Sequence, residues 1–210
     1  MTFNSVYQIL TPLTTVKKQW FVEWFSGDDL KAYWTKRNIN GIGTFAMDDV
    51  IGGGFKITTG STAFNESEID FNDIRQYSNT SSIIIIVWKF DNSVADIGGG
   101  FGDPATISKI SSAVNKAFAR AATGAGFFGL FTGDGTAHSA TNSDVATDAN
   151  FHSHKVECRS GDVKYTLDGI LKITKTTNLP TVKLQPFFAV QTGDATTAIA
   201  NIRYLEAFNT

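Results

Sequence analysis

Hydrophobic and polar positions alternate with a period of two along much of this 210-residue chain. In ESEIDFNDIRQY (66–77), Ile69 and Phe71 point one way and Glu68, Asp70 and Asn72 the other, as successive side chains of a strand do. In HKVECRSGDVKYTLDGILKITK (154–175), Val156 and Cys158 face inward, Ser160-Gly161 turns the chain, and Val163, Tyr165 and Leu167 face inward again. Asp168-Gly169 is the signature of a two-residue hairpin, so this stretch predicts a three-stranded meander. SSIIIIVWKFD (81–91) lacks the alternation and reads as a strand buried on both faces. VKLQPFFAVQT (182–192) and AIANIRYLEAF (198–208) add two more strands, and short strands with Gly turns fill residues 19–60. One stretch reads differently. In GDPATISKISSAVNKAFARA (102–121), Asp103 is a helix N-cap, Pro104 suits the first helical position, and Ile107, Ile110, Val114 and Phe118 recur at helical spacing. It predicts a short helix near 105–112 and then a strand. The sum is an all-β chain, a two-sheet antiparallel sandwich or jelly roll with at most one short helix.

Composition agrees. Hydrophobic residues make up 42% and charged residues 18%, with 17 Phe and 19 Gly, which supplies a core and many turns. Residues 1–19 are polar and Thr-rich and read as an N-terminal arm, leaving 20–210 as one domain. Val6, Tyr7, Ile9, Leu10, Leu13 and Val16 make the arm too apolar for an idle tail and suggest ordering on a partner surface. The net charge of −2 gives no reason to expect a nucleic-acid partner. The short basic pair Lys17-Lys18 reads as a solvated face. The single cysteine, Cys158, excludes an intrachain disulfide. The N-terminus lacks a basic region before an apolar core, and IIIIVW (83–88) is too short to span a bilayer. A soluble protein with no membrane partner, made without a signal peptide, is the expectation.

The stretch FHSHKVECRSGDVKYTLDGILKITKTTNLPTVKLQPFFAVQT (151–192) followed by NIRYLEAFNT resembles the closing strands of the concanavalin A-like lectin/glucanase superfamily. The matching features are the run from His154, the hairpin from Tyr165 to Gly169, the Leu179-Pro180 bend and Pro186-Phe187. WFSGDDLKAYW (24–34) resembles the first strand and loop of that superfamily. The resemblance covers roughly 20–210 and implies a concanavalin A-like jelly roll. More narrowly, the chain resembles single-domain, signal-less members among tailed-bacteriophage structural proteins.

Candidate chemistry has two readings at each place. Retaining glucanases of that superfamily carry a Glu-x-Asp-x-(x)-Glu strand, whose alternation gathers the acids on one face. Glu68 and Asp70 match the first two acids, but the third position offers Asn72 or Asp73. The motif also comes early, where the fold is expected to place an outer polar strand. Solvent-facing acids are the simpler account, and changing Glu68 or Asp70 to its amide should then leave stability almost unaltered. Gly100 to Ala105 spells G-x-G-x-x-A, a dinucleotide loop or a flexible turn; the missing βαβ context favours the turn. His152 and His154 share a strand face with Cys158, and His138 lies upstream, but the spacing of a closed metal site is absent. The loop from Asp134-Gly135 to Asn150 could hold calcium or sugar hydroxyls, or be an ordinary polar loop. Trp24, Tyr33 and Trp34 could stack on sugar rings or belong to the core.

The expectation from these readings is a protein without catalytic residues, metal or cofactor, and with no assigned carbohydrate-binding residues. It would be a virion subunit, a capsid decoration (cement) or fibre-like protein assembled in the host cytoplasm. Its partners would be the major capsid protein or tail, further copies of itself, or a host-surface glycan. A lectin-like module is the alternative, and a glycoside hydrolase the third.

Overall fold

A computed structural model describes residues 20–48, 53–72, 76–91, 95–103, 110, 114–122, 126–194 and 196–210. The proposed arm, 1–19, and most of the expected helix at 105–112 lie outside these residues. Among the described residues there are fifteen strands and no helix. They are β1 (Trp20–Glu23), β2 (Thr35–Ile39), β3 (Thr44–Met47), β4 (Phe55–Thr58), β5 (Glu66–Asp70), β6 (Ser81–Phe90), β7 (Ala95–Gly102) and β8 (Asn115–Ala122). The rest are β9 (Phe127–Asp134), β10 (His138–Ala146), β11 (His152–Arg159), β12 (Asp162–Leu167), β13 (Ile170–Lys175), β14 (Gln185–Thr192) and β15 (Ile199–Asn209). Val114 and Phe118, assigned a helical spacing by the sequence, flank the start of β8 or lie within it.

The strands form two antiparallel sheets. One runs β13-β12-β11-β6-β15-β4-β3, with β1 also on β15; the other runs β10-β9-β8-β7-β14-β5-β2. The core lies between them. Ile84, Ile86 and Trp88 of β6, with Val156, Cys158 and Tyr165, meet Ile69, Ile97, Phe101, Phe128, Phe188 and Val190 of the facing sheet. β6 is central, as its apolar run required, although Ile85 and Val87 on its outer side are only partly buried. The run of glycines in β7 has a packing cause. A Cβ on Gly99 would lie 2.5 Å from the Phe188 ring and 2.6 Å from Ile86 Cδ1, so the two sheets close over a bare backbone there. Gly100–Gly102 are therefore strand, paired to β14 and β8, and form neither a dinucleotide loop nor a flexible turn.

The predicted meander is β11-β12-β13. Asp168 and Gly169 take φ of +48° and +81°, the two left-handed residues of a tight hairpin. No atom lies within 4 Å of a Cβ added at Gly169, so the requirement is purely one of backbone conformation. Gly169→Val should destabilise the domain by about 1–3 kcal/mol in urea unfolding, with the slope unchanged. Parent-like stability would show that the hairpin does not need this conformation.

Candidate functional site

The outer face of the seven-stranded sheet is assembled from cross-strand rows. Glu68 of β5 lies opposite Arg37 of β2 and Ala189 of β14; Asp70 lies opposite Thr35 and Phe187; Glu66 lies opposite Ile39 and Gln191. Since Ile69 faces the core, alternation turns Glu66, Glu68 and Asp70 to the outer side in one column. They are not solvated: Glu66 is 1% exposed and Glu68 and Asp70 are 0% exposed. The expectation of solvent-facing acids was wrong: β5 lies between β2 and β14, and Arg37, Gln191 and the Ile110 backbone contact its acids.

Arg37 lies across two of the acids. Its Nε donates to Asp70 Oδ2 at 3.0 Å and stands 3.8 Å from Glu68 Oε1, while Nη2 donates to Asn72 Oδ1 at 2.6 Å. Asn72 is thus a partner of Arg37, at φ +46° just past the strand, and does not extend the acid column. Asp73 lies outside the described residues. The third acid of the column is instead upstream. Glu66 receives Gln191 Nε2 at 3.1 Å and the Ile110 backbone N–H at 3.4 Å. Lys116 Nζ donates to the Ile110 carbonyl at 3.0 Å and sits 4.2 Å above the Phe131 ring. Burial pushes the Lys116 ammonium down to about 7 against the opposing pull of Glu66, and Arg120 lowers it further.

Beside the column is a cavity of about 190 Å³ lined by Asp96, Ile110, Phe118, Arg120, Phe131 and His138, with Ile97 and Gln191. Gln191 connects it to Glu66. Arg120 Nη2 pairs with Asp96 Oδ1 at 3.1 Å. Gly98 and Gly100 of β7 leave room for Phe118, whose ring or backbone would lie 2.5 Å from a Cβ at either position. Sequence reasoning missed Glu66, Arg37, Gln191, Arg120, Asp96 and Lys116. Extending the alternation two residues upstream from Glu68 would have found Glu66; the others are brought in only by strand pairing.

The remaining candidates separate. His138 stands on the outer face of β10, lowered from its ordinary value by burial and then by Lys116. His154 is buried against Trp88, ring centroids 4.3 Å apart, and hydrogen-bonds Tyr165 Oη at 3.0 Å. His152 is clamped between Asp168 at 2.6 Å and Asp148 at 2.9 Å. Cys158 is buried, and burial pushes its thiol up to about 12, an unreactive group. Among the described residues no cluster of three or more His, Cys, Asp or Glu could hold a metal. The expected loop after Asp134-Gly135 is largely strand β10; Asp134 Oδ1 accepts the N–H groups of Thr136 and Ala137 at the turn before it. Its mostly exposed edge position explains why its polarity read as a loop. Trp34 and, in part, Tyr33 are core, whereas Trp24 is exposed.

Two outcomes follow from these charges. Arg37→Ala removes a cation that is paired with the buried Glu68 and Asp70, and should lower stability by about 3 kcal/mol in chemical denaturation. A loss under 0.5 kcal/mol would mean that the acids need no counter-charge. At His152, burial favours the neutral ring, but the hydrogen bonds and charges of Asp168 and Asp148 outweigh it and raise the ring above its ordinary value. The charged ring is therefore favoured in the fold. Its contribution is complete below about pH 6.5 and is lost as pH rises through the raised value. His154, held well below its ordinary value by burial and then by His152, works in the opposite sense and disfavours acid conditions. The melting-temperature advantage of the parent over His152→Gln should therefore shrink between about pH 5.5 and pH 8.5. An advantage that grows with pH would contradict the clamp.

No protein-family profile and no curated protein sequence matches the chain. Solved structures do. A β-glucanase of Bacillus licheniformis superposes with a TM-score of 0.65 at 13% identity, covering 91% of this chain and 98% of that one. A pseudo β-1,3-glucanase and immunostimulatory antigen of Mycobacterium tuberculosis gives 0.66 at 13% identity, over 90% and 98%. A β-1,3-1,4-glucanase (lichenase) from a mouse hindgut metagenome gives 0.64 at 10% identity, over 90% and 98%. These similarities overturn the expectation of a non-enzymatic capsid decoration or fibre-like virion subunit: the fold neighbours are glucanases and glycoside hydrolases. The narrower resemblance to phage structural proteins, on which that expectation rested, has no counterpart among these neighbours. The chain is a concanavalin A-like jelly roll, the fold of the superfamily that contains the glucanases.

Proposed function

We propose that the protein is a glycoside hydrolase that cleaves a β-linked glucan on the outer face of the seven-stranded sheet. The observation that carries this reading is the column Glu66, Glu68 and Asp70 on one strand face, with Arg37 across its lower half. Glycosidic cleavage needs two carboxyl groups flanking one bond, one to protonate the leaving oxygen and one to attack or to activate water. Residues two apart on a strand stand about 6.7 Å apart on the same face, which is the right order for such a pair. Glu66 and Glu68 meet this requirement from consecutive outward positions. Arg37 sets a guanidinium against Glu68 and Asp70, while Glu66 is bound by amide donors and faces Lys116. Neighbouring carboxyls in unlike surroundings are the usual way to divide acid and base roles. The β-glucanase neighbours, similar across about nine-tenths of this chain, support the choice of substrate class.

The Ile110 backbone N–H rests against Glu66 and all three acids are buried, so substrate binding requires the cover over this strand face to move. Catalytic hydrogen bonds commonly rearrange when substrate arrives.

Reducing-sugar release from lichenan and laminarin tests the proposal. The parent should release sugar, and Glu66→Gln and Glu68→Gln should each lower kcat by about 10²-fold or more while circular dichroism is unaltered. Absence of release from any β-glucan, or variants as active as the parent, would reject it.

A further inference from the structure

The opposite side of the molecule carries a second arrangement of functional groups. β1 pairs with β15 in the register Trp20 to Phe208 and Val22 to Glu206. Phe21 and Glu23 point into the protein, so Trp20, Val22 and the following Trp24 share the outer face of the eight-stranded sheet with Tyr204 and Glu206. Trp20 is 57% and Trp24 is 64% exposed, whereas Trp34 and Trp88, the other two tryptophans, are buried. Large exposed indoles are uncommon on a protein surface and, grouped, mark an interaction site.

The rings are held in place. Glu206 Oε1 accepts Trp20 Nε1–H at 2.8 Å, and its Oε2 accepts the Tyr204 hydroxyl at 2.7 Å. Trp24 packs on Tyr204 with ring centroids 4.6 Å apart and planes tilted by 55°. The backbone beneath Trp24 is fixed as well, because the Glu23 carboxylate accepts the Phe25 N–H at 3.2 Å and the Tyr33 hydroxyl. The polar edges of Trp20 and Tyr204 are tied to one carboxylate, while Trp20 and Trp24 each remain more than half exposed.

We propose that Trp20, Trp24, Tyr204 and Glu206 form a glycan-binding platform that takes the flat C–H face of a β-linked glucan chain. The complementarity is one of charge as well as shape. An aromatic face is negative, and the axial C–H groups of a β-glucopyranose ring are its positive, apolar side. Trp20 and Trp24, four residues apart along an extended segment, stand about 13 Å from one another, so they meet an extended polymer at two places. Glu206 lies between them, and a carboxylate with two occupied oxygens still has lone pairs for sugar hydroxyls. A protein partner of this chain would require a broader continuous apolar patch than two indoles separated by a carboxylate. The proposed hydrolytic activity guides the choice of polymer, but the platform lies on the opposite sheet from the acid column. Binding and cleavage can therefore fail separately.

The full-length chain is tested with lichenan, alongside Trp20→Ala/Trp24→Ala, Trp20→Phe/Trp24→Phe and the catalytic-column variant Glu68→Gln. Lichenan should shift the emission of the exposed tryptophans to the blue, and it should retard the parent and Glu68→Gln equally in affinity electrophoresis. The double Ala variant should lose the shift and bind about tenfold more weakly, and the double Phe variant should retain most of the retardation. Cleavage of a short soluble oligosaccharide should be the same in the parent and the double Ala variant. The platform is rejected if the parent shows neither shift nor retardation, or if the double Ala variant is retarded as strongly as the parent. It is also rejected if light scattering finds a dimer that the double Ala variant abolishes while retardation persists.

Discussion

Three acidic side chains on one strand face are withdrawn from water, and Arg37 stands against two of them. Two acids share its guanidinium, and the third is bound by Gln191 and the Ile110 amide near Lys116. The arrangement constrains the sheet on both sides of β5. Arg37 must come from β2 and Gln191 from β14, in the register that puts each directly opposite or diagonal to its acid. A one-residue slip of either neighbour would turn its polar side chain into the core and take it away from its acid. The same register places the glycines of β7 beneath Phe118, so the cavity beside the acids and the acids themselves depend on one set of strand pairings.

Much of the architecture was legible in the sequence where pattern and turn chemistry agreed. The meander from His152 to Lys175 and its Asp168-Gly169 hairpin were readable because alternation and a demanding turn mark the same places. β7 was not, since a strand of glycines carries no apolar period; its cause is the close approach of Phe188 and Phe118 from elsewhere in the chain. β10 was missed for the opposite reason. An edge strand with both faces largely exposed has the composition of a loop. Asp103 and Pro104 read as a helix start; the expected helix at 105–112 falls almost wholly outside the described residues, and the strand expected after it is β8, which holds Phe118.

The candidate site was half legible. Glu68 and Asp70 were identified with the correct shared face, yet their exposure was misjudged, because the cover comes from residues more than 30 positions away in sequence. The search for a third acid followed the family pattern downstream to Asn72, and Asn72 is a ligand of Arg37. Glu66 was in plain view as the preceding member of the same alternation. Arg37, Gln191 and Arg120 had no local signal, being ordinary polar residues until the sheet aligns them. The sandwich thus has two chemically distinct outer faces. One is a buried network of charges around a small cavity, and the other presents open aromatic rings at the β1–β15 junction. The proposed hydrolysis would draw on the first face to break a bond and the proposed platform on the second to hold the polymer.

The central claim is that the outer face of the seven-stranded sheet accepts a glucan chain at the acid column. A crystal structure of the Glu68→Gln variant with a mixed-linkage β-glucan oligosaccharide tests it most directly. The account predicts a glycosidic oxygen within hydrogen-bonding reach of Glu66 or of the residue at position 68, with the Ile110 amide moved off Glu66. Sugar bound only elsewhere, with the contacts of Arg37, Gln191 and Ile110 to the acids unchanged, would contradict it.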